Sequence, residues 1–187
     1  DIALQDAMLF QSDGLPTLGA LGIEPTRMGN EFGFAAPANV YDCADGAVYL
    51  GVLLDDHWKI LAPIIGEPEL AEHPTFATRD ERAANRDVCN MMVSEWAKQL
   101  PREQVLKTLQ AAGLPAAPVN TFPEAAKDPH VQERDMLQPV EFTNGVTMPI
   151  TGPAAKFSRT PTKIRSAAPD IGQHNEEILT GLDMKTD

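Results

Sequence analysis

Apolar residues recur at helical spacing from the first positions of the chain. Ile2, Leu4, Ala7, Met8 and Leu9 form one stripe, the signature of an amphipathic helix. The stripe has no lead-in, which implies polypeptide before Asp1. Residues 14–37 are interrupted by Gly and Pro at short intervals and read as one long loop, a length that usually serves function or linkage. From Asn39 the period changes to two. Val40, Tyr41 and Cys43 run into Asp45-Gly46, and an apolar strand follows from Ala47 to Leu53. Alternation on both sides of a turn dipeptide predicts a hairpin closed on Asp45-Gly46.

Helical spacing then returns. Asp55 stands where a cap would begin a helix carrying Trp58, Ile60, Leu61 and Ile64, and Gly66 stands where it would end. Pro63 should distort its last turn. The longest helix is predicted over 79–99, with Ala84, Val88, Met91, Met92 and Trp96 inward and Arg79, Arg82 and Arg86 outside that stripe. Pro101 opens a further helix at its first position, with Val105, Leu106, Leu109 and Ala112 in register and Gly113 at its end. A short extended segment over 115–119, brief helices near 123–127 and 128–134, and a second hairpin around Asn144-Gly145 follow. A last helix is predicted over about 172–182, with Glu176 and Glu177 in its first half, where the helix dipole favours acids.

Composition narrows the function classes. The 187 residues carry a formal charge of −12, which argues against nucleic acid or an anionic membrane as a general partner. No apolar run is long enough to span a bilayer, and the N-terminus has no signal-peptide pattern. One basic patch departs from the trend: Lys156, Arg159, Lys163 and Arg165 fall in ten residues without an acid. It reads as a solvated segment or one packed on acidic surface, with phosphate contact as the alternative. The two cysteines, Cys43 and Cys89, match no zinc or redox spacing and read as reduced thiols of a cytoplasmic protein. The sixteen prolines lie largely in connecting segments, which points to short elements joined by stiff loops.

Motif chemistry is sparse. His57, His73, His130 and His174 show no metal-ligand spacing, so no metal is expected, and no nucleophile elbow, Walker loop or dinucleotide fingerprint occurs. Asp42, Asp45, Asp55 and Asp56 cluster in sequence, but the turn accounts for Asp45 and the helix cap for Asp55. The loop Gly29, Asn30, Glu31, Phe32, Gly33, Phe34, ending at Pro37, differs from the rest. Its glycines allow bare backbone to approach a ligand. Its two phenylalanines have nothing local to bury against, so the loop should dock on another surface. It reads either as a packed loop or as one that covers a substrate.

Taken together these stretches resemble the class III CoA-transferases, the CaiB/BaiF group. The similar segments are Gly29-Asn30 to Ala36-Pro37, the hairpin from Tyr41 to Leu50, His57-Trp58 to Leu70, Arg82 to Arg86, Gly113 to Val119, Asp128 to Arg134, and Ala168 to Leu179. They run in colinear order over nearly the whole chain.

The resemblance implies an enzyme that moves CoA between an acyl-CoA thioester and a carboxylic acid. In that family an aspartate attacks the thioester and carries the acyl group and then CoA as covalent intermediates. It implies an α+β small domain over 39–120. It also implies segments that complete an α/β Rossmann-like large domain of an interlocked homodimer: residues 1–38 as helix end and active-site connector, and 121–187 as a return segment. The family's nucleophile precedes the part that this chain resembles, so neither Asp1 nor Asp6 is that residue, no catalytic residue is expected here, and the chain alone should be inactive. Its partners would be the missing N-terminal half and the two substrates, with coenzyme A entering as thioester substrate and no separate cofactor. The surviving site feature is the loop Gly29, Asn30, Glu31, Phe32, Gly33, Phe34 as substrate-binding lid. Formyl-CoA transferases carry a glycine run there; Phe32-Gly33-Phe34-Ala35 instead implies a larger or more apolar acyl group. Two alternatives remain: an α-methylacyl-CoA racemase of the same family, and a stand-alone module that binds CoA or a partner without chemistry.

Overall fold

A hairpin organises the first half of the chain. The computed structural model describes residues 1–12 and 14–182, and these divide into two units, 1–119 and 120–187, each considered by itself. In the first unit β1 (Ala38–Cys43) pairs antiparallel with β2 (Gly46–Gly51), Tyr41 opposite Val48, and β3 (Ala116–Pro118) adds antiparallel to the far edge of β2. Tyr41, Val48 and Leu50 are buried, while Asp42 and Tyr49 face out. That is the alternation a half-covered sheet requires. The hairpin closes one residue earlier than expected, on Ala44-Asp45, with Gly46 already paired to Cys43. Neither Ala44, Asp45 nor Gly46 takes positive φ. The Asp45 carboxylate instead accepts from the Arg102 amide at 2.6 Å, so the residue is recruited by the first turn of a distant helix.

The sheet is covered by helices. α3 (Asp55–Ile64) buries Trp58, Leu61 and Ala62. Asp55 is its first helical residue rather than its cap; Leu54 holds the cap position without a side-chain bond. Pro63 lies so near the C-terminus that the helix still reaches Ile64. Gly66, at φ +89°, then closes the end. Its amide bonds to Pro63 O, and the Glu67 amide to Ala62 O at 2.9 Å, satisfying two carbonyls of the last turn. A 3₁₀ turn, Pro68–Ala71, packs on α3 and accepts the Trp58 indole N–H at Leu70 O, 2.9 Å away.

The expected long helix is two: α4 (Arg79–Ala84) and α5 (Arg86–Ala97), broken at Asn85. At Asn85 the backbone leaves helical geometry (φ −109°, ψ 30°), and its side-chain amide donates to Glu81 O at 2.9 Å, the carbonyl that also accepts the Asn85 backbone N–H at 3.0 Å. The buried face is also rotated from the one expected. Arg82, Cys89, Val93 and Ala97 are inside. Ala84 is exposed, and Val88 and Met91 are 41% and 56% exposed. α5 packs on β1, and α6 (Arg102–Ala111) on β2 and β3. Pro101 is the cap of α6, one position ahead of expectation, and Val105 and Leu109 are its buried residues. Full burial of such aliphatic side chains is worth about 1.5–3 kcal/mol each.

Upstream of the sheet, α1 (Leu4–Phe10) buries no residue. The expected long loop contains α2 (Leu15–Ala20), also without a buried residue. Pro16 sits in its first turn, where a missing N–H does no harm.

The second unit begins with α7 (Phe122–Lys127), held by a reciprocal capping box between Thr121 and Glu124, and α8 (Pro129–Glu133). β4 (Leu137–Glu141) pairs antiparallel with β5 (Thr147–Thr151), the hairpin expected around Asn144-Gly145. α9 (Asn175–Gly181) starts three residues later than expected. Residues 183–187, within the expected return segment, lie outside the described residues.

Candidate functional site

The loop 28–37 enters β1 through a buried stretch, Ala35 to Ala38. Arg82 fixes this base. Its guanidinium is fully buried and donates from Nε to Ala36 O at 2.9 Å, and from Nη1 to Phe76 O at 2.9 Å and Ala77 O at 3.3 Å. Nη2 reaches Asp55 Oδ1 at 3.0 Å, and the group lies 5.8 Å from the Trp58 ring centroid. A buried charge is tolerated only when so fully bonded. On the other side of the loop base, the Val52 amide donates to Pro37 O at 2.8 Å.

The tip of the loop is held by α5. Arg86 donates from Nη2 to Gly33 O at 3.2 Å, and Nη1 lies 3.6 Å from Met28 Sδ. Asn90 Nδ2 donates to Glu31 Oε1 at 2.9 Å, and Asn90 Oδ1 accepts the Tyr41 hydroxyl at 2.6 Å. Burial, reinforced by nearby Cys89 and Glu31, pushes the Tyr41 phenol well above its ordinary range, which keeps the proton it donates. Arg86 and Asn90 stand four residues apart and so share a helix face. Inside the loop, the Glu31 amide bonds to Met28 O at 3.1 Å and the Phe32 amide to Ala38 O at 3.3 Å. Gly29 supplies the turn at φ +63° with nothing within 4 Å of a would-be Cβ.

These bonds present Phe32 and Phe34 as a pair. Their ring centroids are 4.3 Å apart at 54°, and Phe34 remains 61% exposed. The expectation that the loop docks on another surface is met by its backbone and by Glu31, whereas the rings pack on each other. Of the residues singled out in sequence, Glu31, Phe32, Gly33 and Phe34 are brought together; Gly29 and Asn30 form the exposed turn before them. Arg82, Arg86, Asn90 and Tyr41 had no assigned role. For three of them the signal that could have served is the four-residue spacing of Arg82, Arg86 and Asn90.

The remaining candidates stay apart. Asp45 and Asp55 are committed to the Arg102 amide and to Arg82. Burial pushes the Cys89 thiol up to about 11, against Arg82, which favours the thiolate; Cys43 is raised by burial and by Asp45 and Asp42. Both thiols are free. Among the described residues no group of three or more His, Cys, Asp or Glu side chains is placed to hold a metal, and no helix is long and apolar enough to cross a membrane. In the second unit Lys156, Arg159, Lys163 and Arg165 are exposed. Lys156 there lines an open cleft of about 560 Å³ with His130, Glu133, Arg134 and Asp135.

Comparison with known proteins gives the loop a context. The family model described as CoA-transferase family III matches residues 1–175. The beta subunit of succinyl-CoA–L-malate CoA-transferase from Chloroflexus aurantiacus is 32% identical over 183 residues, spanning 96% of this chain and 45% of that protein. The formyl-CoA:oxalate CoA-transferase of Streptomyces coelicolor is 31% identical over 163 residues, 86% of this chain and 40% of that protein. Among solved structures, a CAIB/BAIF family protein from Brucella suis superposes with a TM-score of 0.72 at 30% identity, covering 92% of this chain and 44% of that one. The chain thus spans less than half the length of the curated relatives it matches.

Proposed function

Because the chain belongs to CoA-transferase family III, we propose that it is the C-terminal portion of an enzyme moving CoA from an acyl-CoA thioester to a carboxylic acid. The observation that carries this reading is the loop: Phe32 and Phe34 paired at 4.3 Å on a segment anchored at its base by Arg82 and at its tip by Asn90 and Arg86. A rigidly held aromatic pair, half out of the surface, suits a wall or lid over an acyl group. In this reading the nucleophilic carboxylate that it covers belongs to further, N-terminal polypeptide, within a Rossmann-like large domain and an interlocked homodimer.

The chemistry explains why a lid is useful. Attack of a carboxylate oxygen on the thioester carbonyl forms a C–O bond and breaks the C–S bond, releasing CoA as thiolate and leaving a mixed anhydride. Thiolate attack on the enzyme's carbonyl of that anhydride frees the first acid and leaves CoA as an enzyme thioester. Both intermediates are hydrolysable, so exclusion of water keeps the reaction a transfer. Two rings at the loop also offer a longer acyl group apolar contact that a glycine run cannot.

Full-length enzyme incubated with acyl-CoA and an isotopically labelled free carboxylic acid tests the reading. Label appearing in the thioester pool is expected. Loss of α-deuterium from the acyl-CoA without label exchange would replace transfer by racemisation. Exchange catalysed by residues 1–187 alone would overturn the upstream nucleophile.

A further inference from the structure

The geometry points to Asn90 and Arg86, outside the loop, as positioning residues that set acyl-group preference by holding the Phe32–Phe34 pair. This deepens the CoA-transferase reading and rests on it. The two residues bind the loop on either side of Phe32. Asn90 takes Glu31 at 2.9 Å, and Arg86 takes the Gly33 carbonyl at 3.2 Å. The backbone between these anchors is therefore tied to α5 through Asn90 and Arg86, in addition to its bonds to Met28 O and Ala38 O.

The Asn90 anchor is itself fixed from behind. Tyr41 is 3% exposed, and its hydroxyl donates to Asn90 Oδ1 at 2.6 Å. A carboxylate only accepts, so Glu31 must face the amide nitrogen, and a protonated phenol is then satisfied by the amide oxygen. Each group in the row Tyr41–Asn90–Glu31 has one orientation that satisfies its neighbours. Such a row transmits position from the sheet, through α5, to the loop, and loses that ability when one polarity is wrong.

Polarity also supplies the test. Asn90→Asp keeps an acceptor for Tyr41 but sets a carboxylate against Glu31. Adding Glu31→Gln restores a donor, because the side-chain amide then present in the loop can give a hydrogen to the carboxylate introduced on α5. Both variants and Glu31→Ala, which leaves α5 untouched, are made in the full-length enzyme. The ratio of kcat/KM for a short and a long acyl-CoA is measured, together with the rate of limited proteolysis within 28–36 in the absence of substrate. Asn90→Asp and Glu31→Ala should each speed cleavage there and change the acyl ratio about tenfold, with the double variant returning both toward wild type. Wild-type cleavage and an unchanged ratio in the single variants would overturn the assignment. So would faster cleavage with an unchanged ratio, or a double variant no better than Asn90→Asp. An enzyme that exchanges no CoA yet shows the cleavage pattern would overturn the transferase reading while leaving the loop anchor in place.

Discussion

Arg82 and Asp55 form an unequal ion pair: the guanidinium is fully buried, the carboxylate side chain is 49% exposed, and 3.0 Å separates them. Their contributions should be unequal too. Removing Arg82 strands the carbonyls of Ala36, Phe76 and Ala77. Removing the Asp55 charge leaves those three bonds intact.

Arg82→Ala should therefore cost about 3–5 kcal/mol in urea unfolding. Asp55→Asn should cost under about 1 kcal/mol, because solvent screens a half-exposed carboxylate. Arg82→Lys should behave like the alanine variant, since an ammonium cannot match the planar fork that reaches three carbonyls and a carboxylate. Equal losses at positions 82 and 55 would mean that the charge pair, rather than the carbonyl cage, carries the stability.

The two loop glycines should part company. Gly29 sits at φ +63° in open space, so Gly29→Ala meets backbone strain of about 1–2 kcal/mol with no steric relief to gain. A Cβ on Gly33 would meet only Met28 Sδ at 3.4 Å, an ordinary contact. Gly33→Ala should be nearly neutral. Amide exchange at Glu31, whose N–H closes the turn onto Met28 O, should speed up in the first variant and not in the second.

Alkali should destabilise the fold through groups that the core keeps protonated. The folded Cys89 thiol is held up to about 11, from an ordinary value near 9.0. Above about pH 9 the unfolded chain releases that proton and the folded chain retains it. The unfolded state then binds fewer protons, so stability falls as pH rises toward 11. The slope is about 1.4 kcal/mol per pH unit for each such group. Tyr41, shifted in the same direction, adds to the fall from about pH 10. Urea midpoints at pH 8 and 10.5 should show the decline, and Cys89→Ala should make it shallower, whatever that variant does to stability at pH 8.

Much of the architecture was legible because backbone pattern and burial agree. The β1–β2 alternation, the Gly66 and Gly113 helix ends and the second hairpin all follow from local rules. Several misreadings share one cause, side chains used for tertiary bonds that local rules do not see. Asp45 does lie in the turn but also serves the Arg102 amide, and Asp55, which looked like a cap, serves Arg82. Arg82 looked like surface, and its burial rotated the inward face of α4 and α5 away from Val88 and Met91. α2 was hidden because Pro16 and Gly19 read as loop residues. The loop itself was recognisable from composition and resemblance, but the residues that hold it, Asn90 and Arg86, lie more than fifty positions away.

A lid over the acyl group stands or falls on acyl preference in the full-length enzyme with Phe32→Gly and Phe34→Gly combined. Rates of CoA transfer from formyl-CoA and from a longer acyl-CoA are compared with wild type. Opening the aromatic pair should shift kcat/KM toward the small acyl group, by about tenfold for the loss of two apolar contacts. An unchanged preference would contradict this role, because the loop would then not border the acyl group.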